Sequence, residues 1–186
     1  MTFSVFFVII ICGIPRKRCI MKVCFIGHRT FEETEELISS LKETVVTLIK
    51  KGVTSFLFGS MSAFDELSWK VVTRLREEIP YIKRVYVRSA YQYIDTSYEK
   101  YLLESYEETY FPSKIENAGK YSYVERNYEM IDSSTYCIFY YNKNYIPTLN
   151  RPPKNNILLP SKRNSGTKIA YEYAQKKKKE IINLYK

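Results

Sequence analysis

The chain has 186 residues, of which 45% are hydrophobic and 26% charged, and its formal net charge at neutral pH is +9. This balance is typical of one folded domain with a hydrophobic core, and it excludes a disordered tail. The sequence contains a single histidine, His28, which excludes a metal site built from several histidines, so no metal is expected. Cys24 and Cys137 lie in apolar runs and no Cys-x-x-Cys pair is present, so we expect free, buried thiols in a cytoplasmic protein.

The first twenty residues differ from the rest of the chain. Residues 3–14 are almost entirely apolar, but the run is shorter than the ~20 residues of a spanning helix and lacks the positive start of a signal peptide. Two interpretations are open: residues 1–20 are upstream sequence before a natural start at Met21, or they form a short membrane-proximal anchor. We favour the first and expect one domain over residues 21–186, with a membrane partner only if residues 1–20 are retained.

Five short apolar runs predict strands, and amphipathic patterns predict helices between them. Alternating strands and helices are typical of a parallel sheet that is covered on both faces. The predicted fold class is therefore α/β, a Rossmann-like, doubly wound, mainly parallel five-stranded sheet with helices on both faces. The predicted strands are residues 22–27, 54–59, 82–87, 135–141 and 180–184.

Cap signals and composition predict the segments between the strands. Thr30 with Glu33 forms a capping-box pattern, and Ser62 is typical of a second helix N-cap. Residues 91–110 are rich in tyrosine and contain neither glycine nor proline, which predicts a helix. Residues 142–164 are rich in proline and asparagine, which predicts a long loop.

Glycine and polar residues follow the predicted strands at the sheet edge where ligands bind in open α/β folds. Glycine lets a backbone approach phosphate, helix N-termini attract anions, and arginine binds phosphate through two hydrogen bonds. Neither the G-x-G-x-x-G nor the Walker fingerprint is present. The candidate nucleotide-binding residues are Gly27, His28, Arg29, Gly59, Phe64, Asp65, Arg126, Asn127, Ser165, Gly166 and Thr167.

Several of these residues have two interpretations each. His28 is either a general base or a neutral structural residue. Asp65 either binds a ribose hydroxyl or stabilises the first turn of its helix. Tyr140 and Tyr141 either stack on a base or pack in the fold.

Four segments in this order resemble the SLOG superfamily and, within it, the YpsA-like branch of small bacterial and phage proteins. The resemblance implies a Rossmann-like fold that senses or processes a nucleotide-derived ligand at the residues given above. The related LOG-type phosphoribohydrolases carry a catalytic glutamate where this chain has Ala170, which argues against their chemistry. The four segments are FIGHR at 25–29, FGSMSAFDELS at 58–68, RNYEMID at 126–132 and SGTKIAYEYA at 165–174.

We therefore expect a sensor or binding module for a nucleotide or an NAD/ADP-ribose-like ligand, with the possibility of a homo-oligomer left open. One alternative is an N-glycosidic hydrolase that uses Asp65 or Glu125 as the acid or base, so whether the protein is an enzyme stays open. Another is a single-stranded DNA-binding protein, because the superfamily includes DNA-processing protein A and the chain is basic. A nucleic-acid partner is not favoured, because the lysine run 176–179 is more typical of a solvated helix face.

Overall fold

The computed structural model describes residues 20–59, 62–117, 119–146 and 164–186. The apolar N-terminal run and most of residues 142–164, which were predicted to form a long loop, lie outside the described residues. The elements in chain order are β1 Met21–Gly27, α1 Glu35–Lys50, β2 Val53–Phe58, α2 Ala63–Glu78, β3 Lys83–Val87, α3 Thr96–Ser105, β4 Glu108–Tyr110, α4 Lys120–Ser133, β5 Tyr136–Tyr140, α5 Gly166–Lys176 and β6 Glu180–Asn183.

The strands form one sheet in the order β4-β3-β2-β1-β5-β6, and every neighbouring pair is parallel. The predicted α/β class with a parallel sheet is therefore confirmed. The chain runs from β1 outward to β4, then returns to the other side of β1 and continues to β6. The strand order reverses between β1 and β5, and such a switch point is where open α/β sheets bind ligands.

The described sheet has six strands, so the prediction of five was wrong. The additional strand, β4, lies in the segment predicted to be helical throughout, because α3 ends at Ser105. Glu107 explains the change: its carboxylate accepts from the Arg84 backbone N–H at 2.7 Å, and its own N–H donates to the Arg84 carbonyl at 2.9 Å. This contact with a strand that is distant in sequence pairs β4 with β3. The sequence did not predict β4, because a strand of three residues is too short to show a hydrophobic pattern.

The cap at Ser62 was predicted correctly, whereas the first helix starts later than predicted. The Thr34 hydroxyl caps α1 by accepting from the Leu37 N–H at 3.2 Å, so the Thr30 capping box was wrong. Ser62 and Ser165 cap α2 and α5, each accepting from the N–H three residues later at 3.1 Å. The N-termini of α2 and α5 are thereby fixed at the carboxyl edge of the sheet.

The core has two layers, one on each face of the sheet. Helices α1 and α2 cover the face that carries Phe25 and Phe56, and α4 and α5 cover the opposite face. Cys24 and Cys137 pair directly across β1 and β5 and are fully buried and free, as predicted. Burial raises the pKa of the Cys24 thiol well above its ordinary value, which keeps it protonated. None of the helices in the described ranges has the length and apolar character that crossing a membrane requires.

Candidate functional site

The end of β1 lies against the start of α2. A Cβ at Gly27 would be 2.5 Å from the Cβ of Phe64, so this close approach requires glycine. Phe64 is fully buried and stacks on Tyr140 with the ring centroids 5.6 Å apart. Of the residues predicted for the site, Gly27 and Phe64 thus pack the sheet edge together.

His28 follows β1 and is 1% exposed. Its Nε2 accepts from the Asn142 N–H at 2.9 Å, and its ring stacks on Tyr145 at 3.8 Å. Because Nε2 accepts, Nδ1 carries the proton of the neutral ring, and this N–H has no hydrogen-bond partner among the described residues. Burial lowers the pKa of His28, so the ring is neutral at pH 7 and offers one buried donor.

The start of α5 is tied to the end of β1. The Thr167 hydroxyl is buried and donates to the Gly27 carbonyl at 2.8 Å, so it holds backbone in place. By contrast, Gly166 has open space around its Cβ position, and the Arg29 side chain is exposed. At this end of the site, the open groups are the Arg29 guanidinium and the backbone at Gly166.

The Arg126 guanidinium lies against the backbone that follows β2. Arg126 is 3% exposed, and a Cβ at Gly59 would be 2.6 Å from its Nε. Its two terminal nitrogens donate to Ser89 Oγ at 3.4 Å and to Asn127 Oδ1 at 3.0 Å. Its Nε has no hydrogen-bond partner among the described residues. Glycine at position 59 therefore makes room for a buried guanidinium whose hydrogen bonds are incomplete.

Asp65 supplies the negative charge near this guanidinium. The residue is 5% exposed, and its Oδ2 accepts from the Gly59 N–H at 3.3 Å. Burial lowers the pKa of Arg126, and the Asp65 carboxylate opposes this effect. Arg126 nevertheless stays protonated, because an arginine pKa begins far above neutrality.

Tyr123, a residue that was not predicted for the site, lies beside Arg126. The guanidinium carbon lies 5.5 Å from the Tyr123 ring centroid. Burial raises the pKa of Tyr86, while Arg126 lowers it and Tyr98 and Tyr123 raise it through their charge. The Tyr86 ring also lies 5.1 Å from that of Tyr106. We call Tyr86, Tyr98, Tyr106 and Tyr123 the tyrosine bay. With 18 tyrosines in the chain, composition singles out none of them.

Glu125, one of the two acids considered for hydrolase chemistry, accepts hydrogen bonds from nearby backbone. Glu125 is on the outer side of α4, and its carboxylate accepts from the Glu116 and Asn117 N–H groups at 3.2 and 3.1 Å. Ala170 is 1% exposed and packs between α5 and the sheet. No group of three histidine, cysteine, aspartate or glutamate side chains that suits a metal ion occurs in the part of the chain that the structure describes.

A shallow groove of about 290 Å³ adjoins the site at the carboxyl ends of β5 and β6. Tyr141 and Tyr171 line it and stack on each other at 4.5 Å, so both rings already have an aromatic partner. Asn183, also in its wall, exchanges two hydrogen bonds with the Tyr141 backbone, at 2.9 and 3.0 Å. Tyr141, Tyr171 and Asn183 therefore pack against one another and form a wall of this groove next to the site.

The lysine run after α5 is partly engaged within the fold. The Lys179 ammonium donates to the Asp132 and Ser134 carbonyls at 2.8 and 2.9 Å, and Lys177 pairs with the Asp132 carboxylate at 3.5 Å. These contacts complete the C-terminal end of α4. Two of the four lysines thus anchor a helix end, which corrects the prediction that the whole run is a solvated face.

Comparisons with known proteins give little beyond the architecture. No family model matches the chain, and no curated protein matches it. Two chains among solved structures do match. One is DNA processing protein A from Helicobacter pylori, in a structure that concerns its binding of single-stranded DNA. The identity is 18%, the TM-score is 0.49, and the match covers 87% of this chain and 63% of that protein, so this chain spans less than two thirds of its length.

Proposed function

We propose that this protein binds a nucleotide-type ligand along the carboxyl edge of its sheet, as a binding or sensing module of the YpsA-like branch of the SLOG superfamily. One observation carries the proposal: His28 and Arg126 are both buried where neighbouring strands end, and each has an N–H without a partner among the described residues. An unsatisfied buried donor costs about 1–3 kcal/mol, and such groups in native proteins often belong to functional sites.

The open groups suit the two ends of a nucleotide. Arg29 and the N-terminal backbone of α5 offer positive charge and N–H donors to a phosphate. Arg126 lies near the ends of β2 and β3, about two strand spacings or roughly 10 Å from β1. That separation is comparable with the length of a nucleoside monophosphate.

Binding is better supported than hydrolysis. Glu125 already accepts hydrogen bonds from the segment before α4, and Ala170 is the residue at the position of the catalytic glutamate of LOG-type enzymes. Asp65, the remaining acid, accepts from the Gly59 backbone. Single-stranded DNA, the ligand of DNA processing protein A, is the competing partner that the same experiment tests.

The first experiment is a thermal-shift panel of nucleoside mono- and diphosphates, NAD, ADP-ribose and oligothymidine at two salt concentrations. A ligand at 100 times its Kd stabilises the fold by about 2.7 kcal/mol, so a nucleotide is expected to raise the Tm. Calorimetry then compares wild type with Arg29→Ala, which is expected to lose about tenfold in affinity with a charge-assisted contact.

Lys178→Ala is the matched control, because it removes an exposed positive charge outside the site. It is expected to leave nucleotide affinity unchanged. The proposal fails if no nucleotide shifts the Tm, or if Arg29→Ala binds as tightly as wild type. Salt-sensitive binding of oligothymidine that Lys178→Ala weakens would support the DNA-binding alternative instead.

A further inference from the structure

The positive charge of Arg126 is opposed by an acidic side chain. Among the described residues, Asp65 is the carboxylate whose charge acts on Arg126. The Asp65 carboxylate therefore balances the guanidinium. A phosphate placed there would meet a buried carboxylate in a medium that strengthens their repulsion. An uncharged polar group meets no such repulsion.

The guanidinium still has donors to offer. Its bond to Ser89 is long, at 3.4 Å, and its Nε has no partner in the described ranges. Arginine N–H groups form a planar fork that matches neighbouring oxygen and nitrogen acceptors on the edge of a nucleobase. The electrostatics and the free donors thus favour the edge of an uncharged ring.

Two rings of the tyrosine bay remain open to solvent. Tyr98 is 42% exposed and Tyr123 is 47% exposed, whereas Tyr86 and Tyr106 are half-buried. Tyrosine faces beside a bound base are common stacking platforms, because every base has a π-face. The Tyr98 ring already stacks on Tyr101, with the ring centroids 6.1 Å apart, whereas the Tyr123 ring lies 5.5 Å from the guanidinium carbon of Arg126. Tyr123 is therefore the ring that is placed to contact a planar group bound by this guanidinium.

We propose that Tyr123 binds the nucleobase of the ligand, that Arg126 donates to acceptors on its edge, and that the phosphate lies at the opposite end, at Arg29. This inference rests on the proposed nucleotide-binding function and adds the direction in which the ligand lies. It makes the Tyr123 ring beside Arg126 the part of the site that selects for an aromatic ring, and it assigns charge recognition to the end near α5.

Calorimetric titration with the four common nucleoside monophosphates and with ribose 5-phosphate, which lacks the base, tests the inference. Wild type is expected to bind at least one monophosphate about tenfold or more tighter than ribose 5-phosphate. Tyr123→Leu is expected to lower the monophosphate affinity about tenfold and to leave that for ribose 5-phosphate unchanged. Tyr123→Phe, which keeps the ring, is expected to stay close to wild type.

Tyr121→Leu is the matched control, because Tyr121 is on the same helix, 71% exposed and absent from the groups that act on Arg126. It is expected to bind all probes as wild type does, and circular dichroism verifies that each variant is folded. Unchanged monophosphate affinity in Tyr123→Leu, or an equal loss for ribose 5-phosphate, overturns the ring site while Arg29-dependent binding keeps the proposed function. A wild type that binds none of the monophosphates overturns the ring site, and the proposed function is overturned as well when no nucleotide of the thermal-shift panel raises the Tm.

Discussion

Two buried arginines, Arg84 and Arg126, have very different surroundings. The Arg84 guanidinium donates to both carboxylate oxygens of Glu107, at 2.7 and 3.2 Å, and to Thr73 Oγ1 at 2.9 Å, and it lies 5.5 Å from the Trp69 ring centroid. Arg126 is buried more deeply but has a long bond to serine, a bond to its own neighbour and an Nε without a partner among the described residues.

The difference separates a structural ion pair from a candidate ligand group. Burial raises the pKa of Glu107, but its hydrogen bonds to Arg84 and the Arg84 charge lower it further, so the pKa lies below its ordinary value. This pair holds β4 beside β3. Around Arg126, burial dominates and lowers the arginine pKa. A buried charge that its surroundings do not fully satisfy is typical of a functional site.

The largest expected effect is a contrast between two identical substitutions. Arg84→Lys removes a bidentate contact and the bond to Thr73, so we expect a loss of about 2–3 kcal/mol in the free energy of unfolding. Arg126→Lys removes weaker bonds, so we expect a loss below about 1 kcal/mol but about a tenfold weaker binding of the best nucleotide. Urea unfolding and calorimetry of both variants measure the two effects. Similar stability losses, with ligand affinity unchanged in both, would show that Arg126 is structural as well.

The two glycines at the strand ends allow a second contrast. Gly27→Ala places a Cβ against the Cβ of Phe64, which cannot move without shifting α2, so we expect a loss of about 2–3 kcal/mol. Gly59→Ala meets the ends of the Arg126 and Met130 side chains at 2.6 Å. These ends can swing aside, so we expect a smaller loss, about 1 kcal/mol, together with weakened nucleotide binding as Arg126 moves. Thermal melts rank the two variants, and the reverse order would contradict the packing described here.

His28 extends the comparison to a buried base whose protonation depends on pH. Its folded pKa lies below the unfolded value of about 6.5, so the unfolded state binds more protons as the pH falls below 6.5. Stability is therefore expected to fall from pH 6.5 down to the folded pKa, by at most about 1.4 kcal/mol per pH unit. His28→Gln keeps an acceptor for the Asn142 N–H and does not titrate, so its unfolding free energy is expected to vary less with pH between 7.5 and 5. Parallel curves for the two proteins would refute the assignment.

The smallest expected effect concerns the backbone strain at an exposed lysine. Lys178 has a backbone φ of +53°, which side chains with a Cβ adopt at some strain, and its side chain is exposed. Lys178→Gly is expected to raise stability by about 0.5–1 kcal/mol and to leave nucleotide affinity unchanged. Thermal melts and titration verify both parts. Lower stability would show that the lysine makes a contact that outweighs the strain.

Local sequence patterns predicted most of the framework. The five predicted strands and the cap at Ser62 are all present, because apolar runs and serine caps act over a few residues. The placement of Cys24 and Cys137 in central strands was predicted for the same reason. Prediction failed for β4, because this strand depends on a contact between residues that are distant in sequence. Arg84 and Glu107, which form the pair, are 23 residues apart.

The sequence by itself determined the α/β class, the order of the five predicted strands along the chain, and the edge of the sheet at which the candidate residues follow those strands, because parallel strands place their carboxyl ends together. Only the tertiary structure decided which candidates have open groups. It engaged the Thr167 hydroxyl with the Gly27 carbonyl, left the Nε of Arg126 without a partner in the described part of the chain, and set Tyr123 beside it. Hydrogen-bond satisfaction depends on residues that the fold brings together from far along the chain, and no local pattern records which of them meet.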